Sequence, residues 1–439
     1  MSSVRVTAIP ESGRYTLANA SVPACLVDGP VPEPDEDGLT RLDISIVDGK
    51  ILALQPAGRL STGDWVDLDG GQVWPCFVDI HTHFDKGHIW PRTPNPDGTF
   101  DSALEAVQRD RDRYWTETDV AARFDFGLRC AYHHGTRAIR THLDNTPPHH
   151  EVAWPVFAKL RDAWADRIAL QGVSLVPIDL MVEPFATELA RMVADYKGIL
   201  GAATFMVPDL DDYLDRTVRL AKEHGLDLDF HVDERLDPGA RSLERIVAAI
   251  ERNAFSGQTL VGHCCSLSVQ PDDIVASILN QVSRSRIAVV SLPMCNLYLQ
   301  DRQAGRTPRR RGVTLLHEIA EAGIPLCVAS DNCRDPFYGF GDHDPLEVFC
   351  QAVRIGHLDR PVSPWPTLVT RTPADIMGFE RYGRIAESLD ADLVLFKARG
   401  FSELLSRHQS DRTVLRRGQP IDAPLPDYRE LDHLLEGAR

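Results

Sequence analysis

The chain predicts an α/β fold, a (β/α)8 TIM barrel with a small β-sandwich module built from both termini. Two observations carry this expectation. First, short apolar runs at 76–83, 137–142, 168–176, 199–205, 226–231, 260–264, 287–292 and 326–330 alternate with segments of helical periodicity, such as 118–133, 213–224, 243–252 and 314–322. Eight strands separated by helices are the pattern of a parallel barrel. Second, both ends of the chain are β-rich. Near the N-terminus, Leu42-Asp43-Ile44-Ser45-Ile46-Val47 alternates polar and apolar positions, Asp48-Gly49 follows, and Lys50-Ile51-Leu52-Ala53-Leu54 resumes the pattern. An Asp-Gly pair between two such runs predicts a hairpin, because its turn needs residues that tolerate positive φ. More turn residues fall between Ser61 and Gly71, and strand-like runs return at 391–396 and 413–418. The expected division is a composite sheet module from 1–70 and 380–439, with the barrel as one long insertion over 71–379. The stretch 93–100, rich in Pro, Gly, Asn and Asp, reads as a long loop after the first barrel strand, at the face where this architecture places its active site.

Composition narrows the function classes. The net charge of −17 supplies no basic footprint for nucleic acid. Arg309-Arg310-Arg311 and Arg416-Arg417 are short enough to be solvated faces. Nine scattered cysteines, with no Cys-x-x-Cys pair, argue against a disulfide scaffold and a thiolate zinc knuckle, so a reducing cytoplasm is the simplest home. The N-terminal Met1-Ser2-Ser3-Val4-Arg5 lacks the apolar core of a signal peptide, and no run approaches a membrane span.

The chemistry gathers at predicted strand ends. His81 and His83 stand two apart at the end of the first strand, and alternation puts both on one face. His231 ends the fifth strand, His263 the sixth and Asp331 the eighth. Catalytic groups of this architecture collect at the C-terminal ends of strands, so these residues converge on one mouth. Imidazole nitrogens and a carboxylate suit one divalent metal ion, zinc or ferrous iron, rather than calcium or magnesium. Such an ion lowers the pKa of a bound water toward ~7. Glu234, three residues after His231, can reach the substrate side of that ion and move protons. His263 could be a ligand or stand just behind the ligands. With His81, His83, His231 and Asp331 available, it is assigned to hydrogen-bond the metal-bound hydroxide, and Asp331 to bind the metal and accept a proton from the attacking water. His142 ends the second strand, close to the pocket but not assigned as a ligand. His133-His134 and His149-His150 read as surface or capping residues.

These residues resemble the amidohydrolase superfamily, and within it the bacterial cytosine deaminase branch. The resemblance rests on Phe77-Val78-Asp79-Ile80-His81-Thr82-His83-Phe84-Asp85, Arg140-Thr141-His142-Leu143-Asp144 and His231-Val232-Asp233-Glu234, followed by Arg310-Arg311-Gly312-Val313, Ser330-Asp331-Asn332 and Asp335-Pro336-Phe337-Tyr338. It implies His81, His83, His231 and Asp331 as metal ligands, Glu234 as proton shuttle and His263 as the hydroxide partner. It places Phe337 against a flat heterocycle, with Asn332, Asp335 and Lys86 as further substrate contacts. The implied reaction is hydrolytic deamination of a small heterocyclic substrate with release of ammonia. The family often forms oligomers, which admits a homo-oligomer here.

The chain also departs from that branch. Cytosine deaminases carry a substrate-reading glutamine near the end of the third strand; here the stretch is Ser174-Leu175-Val176-Pro177-Ile178-Asp179. An unread polar edge is costly in a buried site, so cytosine itself is in question. Ser330-Asp331-Asn332 and Phe84-Asp85-Lys86 are closer to the N-alkylammelide aminohydrolases of triazine breakdown. An ammelide-type aminohydrolase and a cyclic-amide hydrolase are therefore alternatives. The latter usually bridges two metals with a lysine after the fourth strand, and Ala202-Ala203-Thr204-Phe205-Met206 offers none, Lys197 lying before it. The small zinc deaminases of nucleic acid are excluded, because His149-His150-Glu151 has no Pro-Cys-x-x-Cys partner.

Overall fold

The computed structural model describes residues 4–6, 8–58 and 63–435 of the chain, the first three by their backbone alone. The extreme N-terminus and the Ser61 end of the turn-rich stretch lie outside the described residues. The chain resolves into two compact units. One comprises Met1–Asp79, Ala131–Ala138 and Asp344–Leu425; the other comprises Ile80–Cys130, Ile139–His343 and Pro426–Arg439.

The unit that carries the terminal strands holds two sheets. In the first, the order is Val4–Val6, Asp64–Asp67, Arg14–Pro23, Leu39–Val47 and Lys50–Pro56. The expected hairpin is present: Val47 pairs with Lys50, and Asp48 and Gly49 take φ of 50° and 79°. Both turn residues are left-handed, as a two-residue turn of this twist requires. The second sheet runs Gln419–Pro420, Thr413–Arg416, Leu393–Leu395 and Val73–Pro75, so strands from both ends of the chain are neighbours in it. Leu17, Ile44 and Ile46 from the first sheet share one buried cluster with Val73, Leu393 and Leu415 from the second. An ion pair buttresses this unit. Arg412 donates to both oxygens of Asp344, at 2.8 and 2.6 Å, and Asp344 also caps the helix Pro345–Gly356 through Leu346 N.

The other unit is built on parallel strands. Phe77–Thr82, Thr136–Asp144 and Ala169–Leu175 form a three-stranded sheet; the first two of these begin in residues of the terminal unit. Leu200–Thr204, Leu228–Val232, Thr259–His263, Ile287–Ser291 and Leu326–Val328 form a five-stranded one. These are the eight runs read from the sequence, each within a few residues. Parallel bridges join Val173 to Ile199, Pro177 to Ala203 and Thr82 to Asp331, so the outer strands of both sheets are in register at their ends. Helices follow the strands, among them Leu210–His224 and Ser242–Arg252, each with one buried apolar face. One difference concerns the loop at 93–100. It ends earlier than its composition suggests, because Thr99 Oγ1 accepts from Ser102 N and starts a helix at Phe100–Tyr114. No helix among the described residues is long and apolar enough to cross a membrane.

Arg412→Ala leaves Asp344 buried without its partner and is expected to cost ~3 kcal/mol, read as a lowered Tm. Burial alone would raise the Asp344 carboxyl, but Arg412 and His134 outweigh it and hold it below the ordinary range. A depressed carboxyl stabilises above its unfolded value of ~3.9 and loses that contribution as pH falls through the folded value. The gap between the intact chain and Arg412→Ala should therefore be full at neutral pH and shrink as pH falls from the variant's raised Asp344 value to the intact chain's depressed one.

Candidate metal and active site

The strand ends of the parallel unit bring the predicted residues together. His81 lies in the last turn of residues of Phe77–Thr82, and His83 follows its end; both are buried. Gly262 on the sixth strand makes room for the first ring, since a Cβ there would stand 3.0 Å from His81 Cε1. The backbone then locks the first strand to the eighth: Asp331 N donates to His81 O at 2.8 Å. Asp331 leaves its strand with φ of 62°, and His263 leaves the sixth with φ of 69°. Left-handed backbone costs a non-glycine residue about 1–3 kcal/mol. At both positions it turns a side chain away from the strand's own alternation and into the mouth.

Asp331 Oδ1 lies 3.5 Å from His81 Nε2 and 3.2 Å from His83 Nε2. His83 Nε2 and His231 Nε2 face each other at 3.2 Å. Two overlapping sets of donors each fit within 4.8 Å: His81, His83, His142 and His231, and His81, His231, His263 and Asp331. Burial, reinforced by the neighbouring imidazoles and Lys86, holds His81, His83 and His231 well below their ordinary pKa, so each is a neutral ring with a lone pair to give. Both ring nitrogens of His81, and Nδ1 of His83 and of His231, are buried without a hydrogen-bond partner among the described residues. Orphaned buried nitrogens converging on a carboxylate are what a divalent cation satisfies, and the donor set fits zinc or ferrous iron.

His142, set aside in the sequence, belongs to this cluster. Its ring lies 4.0 Å from that of His81 and 4.7 Å from that of His231. His142 Nε2 sits 3.2 Å from Asp229 Oδ1, and Arg140 Nη1 donates to Asp229 Oδ2 at 3.0 Å. A carboxylate behind an imidazole fixes its tautomer and orientation, so Nδ1 is the nitrogen left for the cluster. Alternation carries the signal: Arg140 and His142 are two apart on one strand, and Asp229 and His231 two apart on another.

Glu234 and His263 stand beside the cluster. His263 Nδ1 is 3.3 Å from Glu234 Oε1 and 3.0 Å from Asn296 Nδ2. Burial raises the Glu234 carboxyl well above its usual value, and Asp331 pushes the same way. Burial, with His142 adding to it, brings His263 down to about 3. Asp233, between His231 and Glu234, accepts from Ser242 N and Leu243 N at 3.1 Å each. It therefore pins the Glu234 turn to the start of the helix Ser242–Arg252.

A cavity of about 270 Å³ opens over these groups. His83, Lys86, His231, Glu234, His263, Asp331, Asn332 and Phe337 all line it. Lys86 is buried, 5% exposed. Burial opposes its charge, but Asp144, Asp85, Asp335 and Asp331 outweigh burial and raise it above the ordinary value. Its ammonium lies 5.1 Å from the centre of the Phe337 ring. Asp335 is not part of the wall. It accepts from Asn332 Nδ2 at 2.7 Å and from Phe337 N at 2.8 Å, and so shapes the turn that presents those two residues. The end of the third strand contributes Leu175, Val176 and Pro177, an apolar surface with no side-chain amide. A glutamine does line the cavity, but from elsewhere: Phe100, Leu104, Val107, Gln108 and Arg111 face it from one side of the helix Phe100–Tyr114. Their spacing of four, three, one and three is a helical face, a periodicity present in the sequence but without a landmark to say what it faced.

Comparison with known proteins gives the chain's family. The amidohydrolase family model matches residues 167–422. The chain is 52% identical over 428 residues to a pterin deaminase of Rhizobium rhizogenes, covering 97% of this chain and 98% of that one. It is 25% identical over 371 residues to an N-isopropylammelide isopropyl amidohydrolase of a Pseudomonas species, covering 81% and 87%. Among solved structures, a 5-methylcytosine deaminase from Klebsiella pneumoniae bound to 5-fluorocytosine superposes with a TM-score of 0.79 at 24% identity, over 94% of this chain and 98% of that one; this is a likeness of fold.

His83→Ala is expected to carry less bound metal per chain than the unsubstituted protein, because one of the converging donors is lost. Elemental analysis of the two purified proteins measures this.

Proposed function

This chain belongs to the amidohydrolase family, and we propose that it is a metal-dependent hydrolytic deaminase of amino-substituted heterocycles whose preferred substrate class is the pterins. The observation that carries the reaction type is Glu234, a carboxyl whose pKa burial raises, 3.3 Å from His263 and on the wall of the cavity over the imidazole cluster. The 52% identical relative supports the pterin class. We read the eight parallel strands behind the site as a (β/α)8 barrel, with the ligands at its mouth.

His81, His83, His231 and Asp331 would hold the ion, with His142 against them. The ion, when bound, makes a water acidic enough to react at neutral pH. Everything else is done by side chains. Glu234 gives its proton to a ring nitrogen next to the amino-bearing carbon, which makes that carbon electrophilic. Asp331 and His263 hold the proton and the charge that the incoming oxygen brings. The proton held by Asp331 passes to the departing nitrogen, and the second proton of the incoming oxygen restores Glu234 as the ring carbonyl forms, so water and the amine become a ring carbonyl and ammonia.

The wall supports a substrate other than cytosine. Apolar Leu175, Val176 and Pro177 leave no amide where a pyrimidine edge would be read, while Gln108 and Arg111 reach in from the helix above. A fused bicyclic ring buries more apolar surface against Phe100, Leu104 and Phe337 than a single ring can, and its carbonyl-bearing edge has Lys86, Gln108 and Arg111 as donors.

Zinc- or iron-loaded protein should release ammonia from pterin with a higher kcat/KM than from cytosine or an N-alkylammelide. Turnover of cytosine alone would overturn the pterin reading. Glu234→Gln should retain its metal and lose kcat by about 10²–10⁴-fold, and unchanged turnover would overturn the proton-carrying role.

A further inference from the structure

We propose that His88, Cys333 and His343 form a second metal site, separate from the catalytic cluster, that takes a borderline-soft divalent ion such as zinc. One donor atom from each of the three lies within 4.8 Å of the others, and all three residues are at least 96% buried. None of them lines the cavity or contributes to the donor sets of the catalytic cluster.

The strongest pointer is His88. Both its ring nitrogens are buried without a hydrogen-bond partner among the described residues. A neutral imidazole carries one donor and one acceptor, and leaving both unmet in a protein interior is costly. Its surroundings offer no ordinary relief: it meets the edge of Phe126 at 4.8 Å and the ring of His343 at 5.8 Å. Burial, then His343, Arg334 and Arg123, keep His88 uncharged, which is the form that binds metal. Two imidazoles and one thiol are ligands that zinc accepts. A tetrahedral ion's fourth donor would come from water or from Asp342, which accepts from the Tyr428 hydroxyl at 3.1 Å. Burial, followed by Asp342, raises the Cys333 thiol far above its ordinary value, so binding must expel the thiol proton to solvent as the sulfur–metal bond forms.

The position gives the ion a purpose. His88 follows the first strand's catalytic residues and Cys333 follows Asp331. The two loops are already tied by backbone bonds, His88 N to Cys333 O at 3.1 Å and Trp90 N to Arg334 O at 2.8 Å. His343 lies at the far end of the second loop, its ring stacked 4.2 Å from Phe84, the neighbour of His83. A cation held by all three residues clamps the loops that carry Lys86, Asn332 and Phe337.

The full-length chain, stripped and refilled with zinc, tests this by X-ray absorption at the zinc edge. The proposal requires a sulfur scatterer at about 2.3 Å, because the catalytic donors are nitrogen and oxygen only. With cobalt in place of zinc, a thiolate-to-cobalt charge-transfer band should appear, survive in His83→Ala, and vanish in both Cys333→Ser and His88→Asn. Each of those two variants should hold one fewer ion than the parent chain. A zinc shell without sulfur, or a band and metal content unchanged in Cys333→Ser, would overturn it. The sulfur measurement needs no variant, so a misfolded substitution leaves the answer intact.

Discussion

Six metal-seeking side chains share one buried mouth, and the cost of that convergence organises the unit around it. The imidazoles of His81, His83, His231 and His263, held uncharged by burial, cannot satisfy one another, because their ring nitrogens converge on one place together with that of His142. A cation resolves the conflict, and only if the donors arrive at the same height. The backbone bond from Asp331 to His81 and the left-handed turns at His263 and Asp331 are the devices that set that height. The strain they store is tolerable because both ends lie in hydrogen-bonded strands that cannot relax.

Chemistry and recognition come from different parts of the chain. The strand ends supply the clustered imidazoles and carboxyls, each supported from behind: Asp229 and Arg140 behind His142, Asp233 behind Glu234, Asn296 behind His263. The cavity's upper wall is the single helix Phe100–Tyr114, together with the turn that Asp335 shapes. A helix face can be altered without disturbing a ligand. That separation makes an apolar third-strand end compatible with the proposed pterin chemistry.

Lys86 shows how the two parts meet. A buried ammonium is unstable alone, and here four carboxylates hold its charge. Two of these, Asp331 and Asp335, come from the loop after the eighth strand, which also carries Asn332 and Phe337. The electrostatics of the metal site thus also set the charge of the cavity wall. The proposed clamp at His88, Cys333 and His343 would act on the same pair of loops from their outer side.

The order of strands and helices, the Asp48-Gly49 hairpin and the donors His81, His83, His231 and Asp331 were all legible in the sequence. Periodicity and turn chemistry are local, and a ligand at a strand end advertises itself by position. Glu234 and His263 were legible for the same reason. What the tertiary structure decided is everything that depends on partners distant in the chain. His142 joins the cluster because Asp229, on a strand far away in sequence, fixes its ring. Lys86 stays charged though buried because acids from the ends of three strands surround it. Asp335 shapes a turn instead of touching the cavity because Asn332 and the Phe337 amide reach it first. Gln108 lines the cavity because the helix Phe100–Tyr114 turns one face toward it. Strand periodicity reports which face a residue takes, but only the packed chain determines what stands on the other side of that face.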